Sequence, residues 1–318
     1  MRIAFHSEQL GIRGTEVALY DYALYFEEIL KGKAFIISSK NTDLTTLEKF
    51  QNRFDVFLYG NFTEVSQYMI DNNITHIYYI KAGFADGKEL PNVTNLIHTV
   101  FKVNQPHGQH YTFISKWLSK TMTGNDDNYI PHIVTLPEVE ENYREVLGIP
   151  QDAIVIGRHG GREQFDIPFV YDAIWEVVNT HSNIYFVFLN TDHFCEEHPN
   201  IIHLEPTWDL EKKTGFINTC DAMIHARSGG ESFGLSIAEF LHQDKPVISC
   251  PLPLTDTDAN HIEMLGELGK WYTNKQECIN QLLSIEHKDH KGIYKQLVSE
   301  FTPEAVMQRF KYIFALQK

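Results

Sequence analysis

Short apolar runs alternate with longer amphipathic segments along the whole chain. The runs are rich in β-branched and aromatic residues, and most are continuously apolar, which is typical of parallel strands buried on both faces. The predicted strands are Ile3–His6, Ala34–Ser38, Val56–Tyr59, Ile77–Ile80, Leu96–Phe101, Thr112–Ser115, Ile154–Gly157, Ile184–Leu189, Ile201–Leu204, Ala222–Ala226 and Val247–Cys250.

Helical periodicity fills the intervals between these strands. The segment Glu16–Leu30 has a helical pattern, and in Phe169–Asn179 the apolar residues recur on one face. Asp166 is predicted to cap this second helix, with Pro168 in its first turn. The repeated strand–helix–strand units predict an α/β protein with doubly wound parallel sheets.

The pattern restarts near residue 150, which predicts two Rossmann-like domains facing a central cleft that holds the ligand. Before the restart lie Pro137 and a glutamate-rich segment, Glu138–Leu147, which we predict to be helical. A last helix has Thr302 as its cap and Pro303 in its first turn, and we expect it to pack back on the first domain. The predicted ranges are residues 1–149 and 150–301 for the domains and residues 302–318 for the returning helix.

The composition fits two ordinary globular domains. At 318 residues the chain allows two domains of roughly 150 residues each, and it is 43% hydrophobic and 22% charged. No apolar stretch approaches the ~18 residues of a membrane helix, and the N-terminus lacks the layout of a signal peptide. The four cysteines show no CxxC spacing, as expected for reduced thiols. We therefore expect a soluble, cytoplasmic protein without membrane association.

The formal net charge of −15 argues against nucleic acid as a partner, since phosphate backbones select clustered Lys and Arg. An acidic protein can still bind a nucleoside diphosphate if a few basic side chains and backbone N–H groups meet at one place. Basic residues beside glycines are therefore the informative positions in this chain.

The most informative stretch spans residues 222–240. A buried strand leads into Gly229-Gly230, and a helix begins near Leu235. Open α/β sheets bind ligands at this edge, and the helix start offers unpaired N–H groups to a diphosphate. Glu231 and Glu239 would stand ~12 Å apart if every step were helical, so each could accept hydroxyls at one end of a nucleotide sugar. Alternatively, Glu231 is a capping carboxylate and Glu239 a solvated helix residue.

The string Glu231-Ser232-Phe233-Gly234, followed by Glu239, resembles the Glu–seven residues–Glu signature of the retaining family-4 glycosyltransferases, which have the GT-B fold. In that family the first Glu and the following backbone amides hold the donor sugar and phosphates, and the second Glu binds the ribose. The resemblance therefore implies a catalytic role for Glu231 and a donor-binding role for Ser232, Phe233, Gly234, Leu235 and Glu239.

A second glycine-rich turn carries Arg158 and Arg162 after a predicted strand. A guanidinium can grip two phosphate oxygens, and glycines let the backbone approach them. The alternative is a surface loop whose arginines pair with local acids such as Glu163. The turn resembles the family segment Val-Gly-Arg…Lys-Gly, which implies a catalytic role for Arg158 at the departing diphosphate. The family Lys is absent, with Gln164 near its place, and Arg162 is the expected donor-binding substitute.

Two further positions lie in the first half of the chain. Gly14-Thr15-Glu16 resembles the family's Gly-Gly-x-Glu turn, which implies that Gly14 and Thr15 bind the donor; alternatively, these residues only close a strand–helix turn. His98 stands in an apolar strand, where a lone His is ordinarily a hydrogen-bonded core residue. A family His on a comparable strand reaches the donor sugar, so the resemblance implies that His98 is catalytic.

No metal site is predicted. His193, Cys195 and His198 form a cluster whose spacing fits no standard zinc site. The resemblance likewise implies a donor site that works without a metal ion.

Together these motifs predict an enzyme, a retaining glycosyltransferase of the hexosyltransferase class. Its donor would be a UDP-, GDP- or ADP-sugar, used as a substrate without a cofactor. The acceptor is left open among a glycan, a protein and a small molecule, and the oligomeric state is unknown. Two rival functions also stay open, a GT-B nucleotide-sugar epimerase and a non-catalytic nucleotide-sugar-binding protein.

Overall fold

The computed structural model describes residues 1–11, 14–251 and 258–316. The chain divides into two compact units, each with its own parallel sheet. The first unit comprises Met1–Ile133 and Glu300–Lys318, and the second comprises Val134–Ser299. In the described residues no helix combines the length and apolar character that crossing a bilayer requires.

The strands of the described residues are, in chain order, β1 (Arg2–His6), β2 (Lys33–Ser39), β3 (Asp55–Tyr59), β4 (His76–Lys81), β5 (Thr94–Thr99), β6 (His110–Phe113), β7 (Ile154–His159), β8 (Ile184–Leu189), β9 (Ile201–Leu204), β10 (Ala222–His225), β11 (Gly230–Glu231), β12 (Val247–Ser249), β13 (Asp258–Ala259) and β14 (Lys270–Trp271).

The α-helices are α1 (Gly14–Glu28), α2 (Leu44–Gln51), α3 (Glu64–Asp71), α4 (Lys116–Thr123), α5 (Pro168–Thr180), α6 (Leu210–Thr219), α7 (Leu235–His242), α8 (Asn260–Leu265), α9 (Lys275–Leu283) and α10 (Pro303–Ile313). Short 3-10 helices cover Gly266–Leu268 and Lys295–Phe301.

Each unit contains a six-stranded parallel sheet. The strand order is β3-β2-β1-β4-β5-β6 in the first unit and β14-β12-β10-β7-β8-β9 in the second. In both sheets the chain winds outward from the centre in two directions, which is the doubly wound Rossmann-like topology. A separate two-stranded pairing joins β11 to β13 in the second unit. The prediction of two doubly wound parallel sheets is therefore confirmed.

The last helix packs on the aromatic core of the first unit. The ring of Phe310 in α10 lies 6.3 Å from that of Phe5 in β1 and 5.5 Å from that of Tyr78 in β4. Thr302 caps the helix, because its hydroxyl accepts a hydrogen bond from Ala305 N at 3.4 Å. Burial of these large rings fixes residues after 302 on the unit that also contains the N-terminus.

Residues 134–149 belong to the second unit, so the boundary lies earlier in the chain than the predicted 149/150. The predicted helix over 138–147 is absent, and this described segment forms irregular backbone and turns. Arg144 explains both differences. Its buried guanidinium donates to Asp221 Oδ2 at 2.8 Å and to Ala153 O at 2.7 Å. These tertiary contacts outweigh the weak local preference for a helix.

His98 lies in the core of the first unit, fully buried in β5. Its Nδ1 is 2.7 Å from Tyr78 Oη, and its Nε2 is 3.3 Å from Phe113 O. A neutral imidazole satisfies both contacts by accepting from the tyrosine and donating to the carbonyl. Burial lowers the pKa of His98 to about 3. The structure thus places this predicted catalytic residue as a hydrogen-bonded core histidine, with no exposed surface to offer a substrate.

The buried neutral His98 is expected to make the protein less stable in acid. The unfolded chain binds a proton near pH 6.5, whereas the folded chain resists protonation down to about pH 3, so the free energy of unfolding falls as the pH drops below 6.5. We expect His98→Gln to reduce the loss between pH 7 and pH 5 by about 2 kcal/mol, measured by urea unfolding at both pH values. His181→Gln, at an exposed position, is the control. An unchanged pH dependence in His98→Gln would contradict this assignment.

Candidate donor site in the second unit

Two glycine-rich turns meet at the carboxyl edge of the second sheet. β7 and β10 are neighbouring parallel strands, and a glycine-rich turn follows each of them. A Cβ atom built on Gly160 would lie 3.1 Å from Arg158 Nη2 and 3.8 Å from Ser236 Oγ, in the first turn of α7. The turn after β7 therefore approaches the start of the helix that follows the turn after β10.

The start of α7 has a glycine at its N-cap. This residue, Gly234, has a φ of 93° and carries no side chain that could cap the helix. Such a helix start carries orphan donors and a partial positive charge, both of which favour an anion. Gly234, predicted as donor-binding, thus provides a conformation that residues with a side chain rarely adopt.

The loop before α7 is held by the strand pairing between β11 and β13. Gly230 has a φ of 62°, and a Cβ there would lie 1.8 Å from Asp258 O, so only glycine fits. Asn260 Nδ2 donates to Phe233 O at 2.7 Å. Two points of attachment therefore fix the predicted donor-binding backbone from Ser232 to Leu235.

Glu231 is an ionised carboxylate held by two nitrogen groups. Its Oε2 lies 2.8 Å from Arg227 Nη1, and its Oε1 lies 3.2 Å from His225 Nε2. Burial alone raises the pKa of Glu231, but the His225 hydrogen bond and the charge of Arg227 outweigh it, and the pKa falls below its usual value. His225 is itself oriented by Ser249, whose hydroxyl lies 2.8 Å from Nδ1.

Glu239 is buried, with 5% of its surface exposed, so the interpretation of a solvated helix residue is wrong. Lys213 Nζ, from α6, donates to its Oε1 at 2.8 Å, and His159 Nε2, at the end of β7, lies 3.0 Å from its Oε2. Burial raises the pKa of Glu239, but the charge of Lys213 and the contact with His159 outweigh it and lower the pKa to about 2. Each carboxylate oxygen has two lone pairs, which leaves acceptor capacity for ligand hydroxyls.

Arg158 is buried, and its guanidinium donates hydrogen bonds to neighbouring loops. Its Nη1 donates to Thr191 Oγ1 at 2.6 Å and to Asn190 O at 3.2 Å, and its Nη2 donates to Gly161 O at 2.7 Å. Burial lowers the pKa of Arg158 to about 10, so it remains a cation at neutral pH. The guanidinium thus places a positive charge beneath the site while most of its donors are used within the protein.

Arg162 lies at the surface and pairs with an acid from another loop. Its Nε donates to Asp192 Oδ1 at 2.5 Å, and 65% of its side chain is exposed. The arrangement matches the predicted alternative of a surface arginine paired with an acid, although the partner is Asp192 rather than Glu163.

Asp166 does not cap α5, which corrects the prediction. The N-cap is Ile167, and no described side chain bonds there. Asp166 Oδ1 instead accepts from Ser228 N, and Oδ2 from Ser228 Oγ, both at 2.6 Å, while Asp166 N donates to Ala226 O at 2.9 Å. These bonds attach the turn after β10 to the segment before α5. The first residue of α5 is a proline, which has no N–H group to donate, whereas the turn offers the carboxylate two donors from Ser228.

Gly14 and Thr15 lie in the first turn of α1, the helix that follows β1 in the first unit. Glu16, next to them, is buried and accepts a hydrogen bond from Ser7 Oγ at 3.4 Å.

The predicted site residues that the second unit brings together are Arg158, Ser232, Phe233, Gly234, Leu235, Glu231 and Glu239. Gly14, Thr15 and His98 belong to the first unit.

Sequence reasoning missed the nitrogen partners of both glutamates. Arg227 stood four residues before Glu231, a spacing that could have indicated an ion pair. His225, Lys213 and His159 gave no signal, because each comes from a different element and looks like an ordinary polar residue in the sequence.

No group of three His, Cys, Asp or Glu residues among those the structure describes could hold a metal ion. The metal independence implied by the resemblance stays a prediction.

No protein-family model matches the chain, and no curated protein matches its sequence. Solved structures match its fold. HepE of Anabaena in complex with UDP-glucose has a TM-score of 0.73 at 14% identity, covering 99% of this chain and 100% of that one. A glycosyltransferase of Rickettsia africae has a TM-score of 0.71 at 13% identity, covering 98% and 97%. A putative UDP-N-acetylglucosamine 2-epimerase of Listeria monocytogenes has a TM-score of 0.61 at 12% identity, covering 99% and 97%.

These matches define the class: the chain has the GT-B fold, with two Rossmann-like domains. The resemblance inferred from the sequence motifs and the likeness of the whole fold therefore agree.

The buried pair of Lys213 and Glu239 is expected to be essential for stability. Lys213→Met leaves a buried carboxylate without its cation and should lower the free energy of unfolding by about 3–5 kcal/mol. Adding Glu239→Gln to the same chain removes the stranded charge and should restore much of the loss. Urea unfolding at pH 7 measures both effects.

The matched control is Lys212→Met, at the exposed neighbouring position, which should stay within about 0.5 kcal/mol of wild type. Equal stability of Lys213→Met and Lys212→Met would show that the pair contributes nothing.

Proposed function

We propose that the protein is a retaining glycosyltransferase, which transfers a sugar from a nucleotide-diphosphate sugar to an acceptor without a metal ion or cofactor. The observation that carries the proposal is the position of Glu231. It stands as an ionised carboxylate on a glycine-rich turn, immediately before the start of α7, whose N-cap is a glycine. A carboxylate that accepts sugar hydroxyls and a helix start that attracts phosphate are thereby placed side by side.

The donor would lie across the start of α7. Its diphosphate would accept hydrogen bonds from the backbone N–H groups near Phe233–Leu235, and its sugar hydroxyls would donate to Glu231. The ribose hydroxyls would donate to the remaining lone pairs of Glu239, whose other contacts are Lys213 and His159. The two glutamates then bind the two hydroxyl-bearing ends of one ligand.

The chemical step would depend on electrostatic stabilisation. Positive charge develops on the sugar ring while negative charge grows on the departing diphosphate. The fixed N–H groups of α7 and the buried positive charge of Arg158 are in place before the reaction, so little reorganisation is needed to stabilise that charge. Glu231 would orient the sugar through its hydroxyls, and the resemblance to the retaining family-4 glycosyltransferases implies retention at the anomeric carbon.

A UDP-sugar is the first donor to test, because HepE binds UDP-glucose in the same fold. GDP- and ADP-sugars remain candidates, and the acceptor is a glycan, a protein or a small molecule. A cytoplasmic location is part of the proposal, supported by the free thiols of Cys195, Cys220, Cys250 and Cys278.

The second candidate function is a nucleotide-sugar epimerase, favoured by the similar fold of the Listeria protein. The third is a binding protein without turnover. Product analysis separates the three: a new glycoside or released sugar with nucleoside diphosphate indicates transfer, an epimerised sugar indicates the epimerase, and tight binding with no product indicates the binding protein.

We expect a UDP-, GDP- or ADP-sugar to raise the apparent melting temperature of the protein, because a ligand of the folded state stabilises it. Once a donor is found, Glu231→Gln should lower kcat/KM for transfer by about 10²–10³-fold, since it removes the charged acceptor for the sugar hydroxyls. Nucleoside diphosphate release measures this reaction.

Glu163→Gln, on the exposed part of the neighbouring turn, is the matched control and should retain full activity. Wild-type rates in Glu231→Gln would overturn the assignment of Glu231, and the absence of any stabilising nucleotide sugar would overturn the donor proposal.

A further inference from the structure

Three arginines stand on or next to the two glycine-rich turns, and the structure gives them different environments. The proposed donor carries a diphosphate, which needs a cation that can reach it as well as the N–H groups of α7. The environments of Arg158, Arg162 and Arg227 decide which one is suited to that contact.

Arg158 is fixed by its neighbours. Three of its donor contacts go to Thr191, Asn190 and Gly161, and 4% of its surface is exposed. It can contribute a positive potential but has little freedom to move toward a ligand. Arg162, in contrast, lies at the surface, where its side chain is 65% exposed and paired with Asp192. An exposed pair of this kind provides little electrostatic stabilisation at a neighbouring site.

Arg227 lies between these extremes. Its side chain is 26% exposed, and its Nη1 contacts Glu231 Oε2 at 2.8 Å. Its Nε lies 3.7 Å from the position that a Cβ on Gly229 would occupy. The guanidinium therefore lies beside the glycine turn, with one edge on Glu231 and further N–H donors on the rest of the fork.

The turn that carries Arg227 is also fixed in place. Asp166 binds Ser228 through both carboxylate oxygens, and Gly230 N donates to Arg227 O at 3.1 Å. A cation on a fixed turn loses little conformational entropy when it binds, which favours a specific contact.

We propose that Arg227 is the side chain that binds the diphosphate of the donor, with Glu231 as its counter-ion on the opposite edge of the guanidinium. The inference rests on the proposed function and names a residue that it leaves unassigned. Arg227 links the carboxylate that orients the sugar to the anion that leaves, and Arg162, the substitute expected from the sequence, takes no part.

The test is equilibrium titration of the full-length protein with UDP, GDP and ADP, followed by the nucleoside of whichever diphosphate binds tightest. Arg227→Gln should weaken diphosphate binding by about 10- to 100-fold, as expected for the loss of charge-assisted hydrogen bonds. It should leave nucleoside binding unchanged, because the nucleoside lacks the phosphates. The matched control, Arg162→Gln, should change diphosphate affinity by less than about two-fold.

Two further variants separate direct binding from an effect on folding. Arg227→Lys keeps the charge but loses the planar fork, so its diphosphate affinity should lie between wild type and Arg227→Gln. Glu231→Gln removes the negative counter-ion and should tighten diphosphate binding, which a merely structural pair would not do. If Arg227→Gln does not fold, these two variants still decide the proposal.

Unchanged diphosphate affinity in Arg227→Gln, or a loss in Arg162→Gln instead, overturns the inference and leaves the proposed function standing. Failure of the wild-type protein to bind UDP, GDP or ADP overturns both.

Discussion

The Glu239 carboxylate is the interaction on which the proposed site in the second unit depends. It extends from α7, receives Lys213 from α6, and lies 3.0 Å from His159 at the end of β7. A charge buried this deeply is tolerated only with such partners, so the three elements are fixed in one arrangement. The start of α7 is thereby held against the carboxyl edge of the sheet, where Gly160 approaches Ser236. The proposed contacts of a diphosphate with the backbone N–H groups of α7 follow from that placement.

Glu231 applies the same physical principle with more access to solvent. Its side chain is 14% exposed compared with 6% for Glu239, and its cation, Arg227, is itself partly exposed. The more buried carboxylate, Glu239, fixes the fold and offers a ligand only its remaining lone pairs, whereas the less buried Glu231 can also exchange partners with a ligand. Gly230 fixes the loop that carries Glu231. It approaches the backbone of Asp258 so closely that no side chain would fit between them.

Much of the fold could be predicted from the sequence, since buried parallel strands are continuous apolar runs. Ile184–Leu189 and Ile201–Leu204 were predicted to the residue. The two-residue strands β11, β13 and β14 are too short to produce any periodicity. The helix predicted over 138–147 is missing because Arg144 reaches Asp221, which is distant in the sequence. For the site, local motifs located the glycine turns and both glutamates, but the different burial of Arg158 and Arg162 could not be predicted, since it depends on residues distant in the sequence.

The sequence by itself determined the two parallel sheets, the positions of the glycine turns and the carboxylates beside them, because these follow from apolar periodicity and from residues close together in the chain. Only the tertiary structure decided which charges are paired and how deeply they are buried. Thr191 holds Arg158, Asp192 holds Arg162, and Lys213 holds Glu239, and each pair joins residues at least 26 positions apart. The strength of an ion pair depends on the distance between its charges and on the exclusion of water. Both are set only when the separate elements pack together.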